Sequence, residues 1–294
     1  PYDKSEVEAL IRASLPREDG LQRTVIRAMR EAVENGGKRI RPILLFESCK
    51  CFAEARSESG WKEEAAPFLA ALEMIHSFSL VHDDLPCMDN DILRRGKPTT
   101  WYVYGEAMGT LAGDGLVLEA LTLAGKAVAA SKQPERAARA LAILGEKSGV
   151  FGMLGGQSVD VEKTGESLDA ATLDFIYRLK TGALLEAAFM MGAALGGATE
   201  EELRIAEQIG AAVGLAFQIR DDILDETASE AELGKPLHSD EKNQKTTYVS
   251  LYGLESAKEA VRQQSEIAAQ RLKGFPGDTK CLAALIAYLT ERNF

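Results

Sequence analysis

The sequence predicts an all-α protein, a single large domain (1–294) built as a bundle of about ten or more helices. Three observations predict it. Ala and Leu are abundant while aromatic residues make up only 6% of the chain, a balance that favours helices over strands. Apolar residues recur at helical spacing almost throughout, and strand-type alternation is absent over any useful length. No composition shift, low-complexity tract or internal repeat divides the chain into smaller units. With 46% hydrophobic and 27% charged residues, the chain has the composition of a folded protein with a core of good size.

The elements follow in order. Asn35-Gly36-Gly37 closes an early helix. Segment 63–84 carries Phe68, Leu69, Leu72, Ile75 and Phe78 with Ser and Glu between them, and Gly96 and Pro98 mark the loop beyond it. Segments 105–130, 134–151, 167–197 and 200–227 read as helices, the third of them stopped by Gly196-Gly197. The run GMLGGQSVD, residues 152–160, adds another helix. Residues 228–246 are the longest polar loop candidate, and helices expected over 254–273 and 278–292 are separated by Gly274, Pro276 and Gly277. Glu135 and Arg139 stand at i, i+4 spacing for a surface ion pair. The apolar run 183–198 contains Glu186 and several glycines, so it reads as a buried helix rather than a membrane span.

Charge narrows the function. Lys plus Arg number 34 and Asp plus Glu 45, a net charge of −11, which disfavours nucleic acid and leaves no polybasic patch for a membrane surface. Cys49, Cys51, Cys87 and Cys281 are scattered and fit neither a disulfide frame nor a zinc site. We expect reduced thiols and a cytoplasmic location, and the first residues, PYDKSEVEAL, are too polar for a secretory leader.

Two acidic clusters stand out, each directly continuing an apolar helix. The first is DDLPCMD, with Asp83, Asp84 and Asp89; the second is DDILD, with Asp221, Asp222 and Asp225. Carboxylates that continue a buried stripe are costly to desolvate unless something neutralises them. Asp221 and Asp225 share one helix face, with Gln218 three residues earlier, and like charges at that spacing invite a cation. Hard carboxylate oxygens suit Mg²⁺, which usually combines one or two carboxylates with waters and substrate phosphates. In the first cluster an unbroken helix would turn Asp89 about 240° from Asp83. Pro86 pushes Leu85 out of α geometry, and the resulting bend could return Asp89 to Asp83.

Two basic islands interrupt the acidic chain. GGKRIRP holds Lys38, Arg39 and Arg41; LRRGKP holds Arg94, Arg95 and Lys97. Arg offers a planar fork and Lys a point charge to phosphate oxygens, and the glycines before Lys38 let backbone N–H groups approach an anion. Arg94 and Arg95 follow closely after Asp89, so groups for a cation and for an anion share one loop, as a metal-bound diphosphate requires. Lys180 and Thr181 in KTG, together with Lys235 and Lys245, are weaker candidates. His76 lies two turns before Asp83, either as a hydrogen-bonded core residue or as a ligand-binding one. Gln157 and Asp160 read as polar site groups, while the glycines before them serve equally for close helix packing.

GGKRIRP, MIHSFSLVHDDLPCMDNDILRRGKPT, GMLGGQSVD, KTG and FQIRDDILD, taken in this order, resemble the short-chain trans-prenyl diphosphate synthases, above all the bacterial farnesyl type, over about residues 25–250. The resemblance implies an isoprenoid-synthase bundle around a deep apolar cavity, usually as a homodimer. It implies that Asp83, Asp89 and Asp221, with Asp84, Asp222 and Asp225 nearby, hold about three Mg²⁺ ions on an allylic diphosphate. Arg94, Lys180, Thr181, Gln218, Lys235 and Lys245 would grip the same diphosphate. Lys38, Arg41, His76 and Arg95, with the Gly37 backbone, would hold isopentenyl diphosphate. The implied reaction is ionisation of dimethylallyl or geranyl diphosphate, condensation with isopentenyl diphosphate and loss of a proton, giving farnesyl diphosphate. Metal and Arg would stabilise charge on the leaving oxygen, and a dry cavity would protect the allylic cation.

Product length is the finer question. Pro86 and Cys87 lengthen the first motif to DDxxxxD, a bacterial form in the family, and an aromatic residue at the position of Phe78 goes there with a fifteen-carbon product. Helix projection turns Phe78 about 140° from Asp83 and puts Ser79 on the Asp83 face, so spacing alone does not make Phe78 the floor of a cavity. A twenty-carbon, geranylgeranyl product is the nearest alternative. Two departures stand out: Glu31 replaces the Tyr of many relatives, and the end Arg292-Asn293-Phe294 is less basic than some tails. Among rival readings, a di-iron bundle needs paired Glu-x-x-His motifs, and only Glu73-Met-Ile-His76 fits. A non-catalytic subunit of a prenyl synthase typically loses one aspartate cluster, and a terpene cyclase does not need GGKRIRP.

Overall fold

The structure is a computed structural model that describes residues 4–227 and 246–291. The chain runs through α1 (Ser5–Ser14), α2 (Arg23–Glu34), α3 (Ile40–Ala55), α4 (Trp61–Asp83), β1 (Leu93–Arg94), β2 (Lys97–Pro98), α5 (Thr100–Tyr104), α6 (Glu106–Ala130) and α7 (Pro134–Ser148). It continues through α8 (Met153–Glu162), α9 (Ala170–Ile176), a π-helical turn (Tyr177–Gly182), α10 (Ala183–Leu195), α11 (Glu200–Thr227), α12 (Tyr248–Tyr252), α13 (Leu254–Leu272) and α14 (Lys280–Glu291). The fold is all-α, as the apolar periodicity predicts.

The hydrophobic pattern explains the layering. α10 is apolar apart from Glu186, which pairs with Lys147, and is buried at every position except Met190, so it forms the axis of the bundle. α3, α7 and α11 pack around it, and α4 packs against α3 and α6. The main core joins Phe52, Phe68, Leu72, Ile75 and Phe189 with the alanines of α4 and α10. A second cluster, Leu173, Ile176, Tyr177, Ala216, Ile219, Ile223, Ala257 and Val261, fixes the C-terminal half of α11 against α9, the π-helical turn and α13. That cluster positions the second group of aspartates.

Several elements differ from the sequence expectation. The helix expected over 134–151 stops at Ser148, and the chain turns at Gly149–Gly152. The helix expected over 167–197 is divided by the π-helical turn. The loop at Gly96 and Pro98 is a minimal hairpin, pairing Leu93 with Pro98 and Arg94 with Lys97. Its central residues, Arg95 and Gly96, both have positive φ, 54° and 75°, as a tight two-residue hairpin requires. Arg139 reaches Glu200 at 2.8 Å on the next layer instead of Glu135. α4 and α6 are each long and apolar enough to cross a membrane by length and composition, but 61% of that window is buried within the bundle in α4 against 33% in α6. On α6, Leu111, Leu118 and Leu121 are left exposed along one side.

Candidate active site

The site begins where α4 ends. Pro86 prevents helical continuation, and the chain folds back through Leu85–Asn90. Met88 N–H donates to Leu85 O at 2.8 Å, and Asp89 N–H donates to Asp83 O at 2.8 Å. The bend therefore returns Asp89 to Asp83. Burial pushes the Asp83 carboxyl up from its ordinary 3.8 to about 6, against the pull of Lys180 and with the help of the Asp89 charge. From α8, Gln157 Nε2 donates to Asp83 Oδ1 at 2.6 Å, while Gln157 Oε1 is buried without a partner.

The π-helical turn connects this wall to the other. Lys180 Nζ donates to Asp160 Oδ2 on α8 at 2.6 Å, and Thr181 Oγ1 donates to Gln218 Oε1 on α11 at 2.8 Å. Contact between α8 and the turn depends on Gly156, because a Cβ there would run into the backbone nitrogen of Lys180. A cavity of about 120 Å³ lies among Asp160, Tyr177, Lys180, Thr181, Gln218 and Asp222. Three side-chain pairs, Gln157 with Asp83, Lys180 with Asp160 and Thr181 with Gln218, thus link α4, α8, the π-helical turn and α11 between the two aspartate clusters.

The aspartates are not equivalent. Asp84 is 3% exposed and accepts from Arg94 Nε at 2.7 Å and Nη2 at 2.6 Å. Asp222 is 5% exposed and accepts from Tyr177 O–H at 2.6 Å and from Tyr248 N–H at 2.8 Å, which ties α11 to the π-helical turn and α12. These two carboxylates are held by protein donors, which the expectation of six nearby carboxylates did not anticipate. Asp225 is buried and Asp221 half-buried. Among the described residues no group of three His, Cys, Asp or Glu side chains is already arranged around one point. Lys235 and Lys245 lie outside the described residues. The donors nonetheless fit a hard dication: Asp83 is a carboxylate whose charge burial disfavours, with a second carboxylate folded back against it.

The basic islands meet beside this cluster. Gly36 and Gly37 have φ of 103° and 128°, a path closed to ordinary side chains. Arg95 Nη1 donates to Gly36 O at 2.8 Å, and a Cβ on Gly37 would lie 2.5 Å from that nitrogen. The first loop and the hairpin are therefore locked together. Arg41 Nη1 donates to His76 Nε2 at 3.4 Å. Burial, then the fields of Arg41, Arg95 and Arg94, hold the His76 pKa well below 6.5, so the ring is neutral and carries its proton on Nδ1. Burial lowers Arg41 to about 10, which leaves it charged at neutral pH. Lys38 Nζ sits 5.6 Å from the centre of the Tyr288 ring. Glu73 and His76 are engaged by Arg39 and Arg41, so the di-iron reading has no ligand pair.

Phe78 lies on the α6 side of α4, its ring edge-on to His82 at 5.8 Å, and His82 Nε2 is 3.1 Å from Thr110 O on α6. That agrees with the helix projection. Ser79 Oγ donates back to His76 O at 2.8 Å. Sequence reasoning missed Tyr177 and Tyr248, whose contacts with Asp222 join residues far apart in the chain and leave no local signal.

A family profile described as polyprenyl synthetase matches residues 22–285. The farnesyl diphosphate synthase of Geobacillus stearothermophilus is 40% identical over 292 residues, covering 99% of this chain and 95% of its own. The chloroplastic geranylgeranyl pyrophosphate synthase of Capsicum annuum is 44% identical over 270 residues, 90% of this chain and 71% of its own. The crystal structure of a geranyltransferase from Helicobacter pylori, complexed with magnesium and isoprenyl diphosphate, superposes with a TM-score of 0.81 at 30% identity, covering 97% of this chain and 92% of that one. With motifs, fold and site geometry in agreement, the chain belongs to the polyprenyl synthetase family and is a trans-prenyltransferase, a prenyl diphosphate synthase.

Proposed function

We propose that the protein condenses isopentenyl diphosphate with dimethylallyl and then geranyl diphosphate, in a magnesium-dependent reaction, and releases farnesyl diphosphate. The observation that carries this reading is the junction of two unlike sites at one end of the bundle. A carboxylate pair, Asp83 and Asp89, lies beside Lys180, and a cationic group of Arg41, Arg95 and neutral His76 stands next to it. One diphosphate bound through a cation and one bound directly by arginines match that pairing.

Asp83, Asp89, Asp221 and Asp225 would hold magnesium, and the metal, when bound, supplies positive charge to the departing diphosphate. The H. pylori geranyltransferase carries magnesium with an isoprenyl diphosphate, which supports the same use here. Lys180 is placed to exchange Asp160 for a phosphate oxygen, and Thr181 and Gln218 steady each other at the edge of that position. Arg41 and Arg95 hold the second diphosphate so that its double bond meets the allylic C1. The allylic carbon–oxygen bond breaks, the isopentenyl π electrons form the new carbon–carbon bond, and a proton passes to the released diphosphate. Arg94 keeps Asp84 neutralised at the junction.

Assembly as a homodimer through α6 belongs to this proposal. Leu111, Leu118 and Leu121 leave an apolar face that a second copy would cover, with Val150, Phe151 and Leu154 exposed at the α7–α8 corner.

The test is turnover with isopentenyl diphosphate and each allylic diphosphate in the presence of Mg²⁺, followed by hydrolysis and chromatography. Farnesol as the main product supports the reading. Geranylgeraniol as the main product, which the match to the Capsicum enzyme favours, would overturn the chain length. Cyclised hydrocarbon or no turnover would overturn the function itself. Asp221→Ala should lower the rate by at least about 10²-fold at unchanged melting temperature.

A further inference from the structure

Glu73 is a buried carboxylate that no step above uses. It sits on α4 one turn before His76, is 3% exposed, and its Oε1 accepts from Arg39 Nη1 at 2.6 Å. Arg39 is itself 7% exposed and adopts φ of 54°, a left-handed conformation uncommon for a residue with a side chain. Its Nη2 donates to Val33 O at the end of α2, 2.6 Å away, and its Nε lies 3.5 Å from Glu8 Oε1 on α1.

Arg39 occupies the pivot of the anion-binding loop. Lys38 precedes it, and Arg41 follows in the first turn of α3. Whatever fixes the Arg39 backbone fixes where both cations point. A left-handed turn at a residue with a side chain is costly and persists only where the surroundings enforce it, and the Glu73 bond supplies that enforcement from the helix that also carries His76 and Asp83. Glu73 also provides counter-charge: its field favours the charged forms of Arg41 and Arg95, which burial opposes.

We propose that Glu73 is a positioning residue for isopentenyl diphosphate, holding Arg39 so that Lys38 and Arg41 are set for the second diphosphate before it arrives. The inference deepens the proposed function and rests on its assignment of this loop to isopentenyl diphosphate.

The test uses Glu73→Gln, which keeps shape and an acceptor but removes the charge, and the double variant Glu73→Leu with Arg39→Met, which replaces the pair by apolar groups. Binding of isopentenyl diphosphate alone is measured by calorimetry, and KM for each substrate by steady-state kinetics. In Glu73→Gln we expect Kd and KM for isopentenyl diphosphate to rise at least about tenfold, while KM for geranyl diphosphate stays within about twofold. The double variant should melt close to wild type and still show the isopentenyl defect. Equal loss for both substrates, or normal isopentenyl affinity in either folded variant, would overturn the inference. Condensation by the wild type with an isopentenyl KM that Arg41→Ala leaves unchanged would instead show that the loop assignment is at fault, and the inference would fall with it.

Discussion

Asp83→Asn should make the metal-free protein more stable and much less active. The Asp83 carboxyl ionises near 6 in the folded protein because burial penalises its charge. Relative to its ordinary 3.8, that displacement corresponds to about 3 kcal/mol at neutral pH, taken from folding by the charged form. The amide removes the charge and keeps an oxygen for Gln157 Nε2. The sign follows from proton binding. A carboxyl raised in the folded state takes its proton there first, so the wild type gains stability as pH falls from about 6 toward 3.8, and the variant lacks that gain. In EDTA at about pH 7.5 the variant should melt roughly 5 °C higher, and at about pH 5 the gap should shrink to about half. Thermal unfolding followed by circular dichroism reads both values. With Mg²⁺ present, turnover should fall by at least about 10²-fold. A variant that melts below wild type in EDTA at the higher pH would refute the claim that a disfavoured charge is stored at this position.

Three further outcomes are expected. Phe78→Ala should shift the product toward longer chains, read by chromatography of the hydrolysed products; an unchanged profile would remove Phe78 from length control. Gly156→Ala must push α8 off the π-helical turn, so it should cost about 1–3 kcal/mol in denaturant unfolding and reduce kcat through Lys180; a normal midpoint and rate would contradict the contact. Leu118→Glu places a charge on the exposed α6 face and should convert a dimer to a monomer in light scattering; an unaltered mass would place the interface elsewhere.

Much of this architecture was legible in the residues. Apolar spacing located α4, α6, α11 and α13 to within a few residues because each buries one face or all faces against neighbours. Pro86 foretold the bend that returns Asp89 to Asp83, and the two basic islands, whose Lys38, Arg41 and Arg95 the resemblance assigns to one diphosphate, lie against each other. What the sequence hid was of two kinds. Changes of hydrogen-bond register, such as the π-helical turn, leave the apolar pattern almost untouched. Partnerships across the bundle, such as Tyr177 with Asp222 or Arg39 with Glu73, depend on which helices become neighbours. For that reason the glutamine and aspartate candidates on α8 could be named but not assigned, and Glu73 looked like half of a metal motif rather than the anchor of an arginine.

The π-helical turn has a consequence for how this rod of helix tolerates change. An extra residue accommodated in the widened turn lets two adjacent side chains, Lys180 and Thr181, serve neighbours on different sides, one on α8 and one on α11. Deleting a single residue between Tyr177 and Gly182 would take up that extra residue, restore ordinary winding and leave the phase of α10 largely as it is. α10 would keep its apolar surface in the core, but Lys180 and Thr181 would no longer both be aimed at Asp160 on α8 and Gln218 on α11. The widened turn therefore serves the two side chains it presents, and the bundle behind it would pack without it.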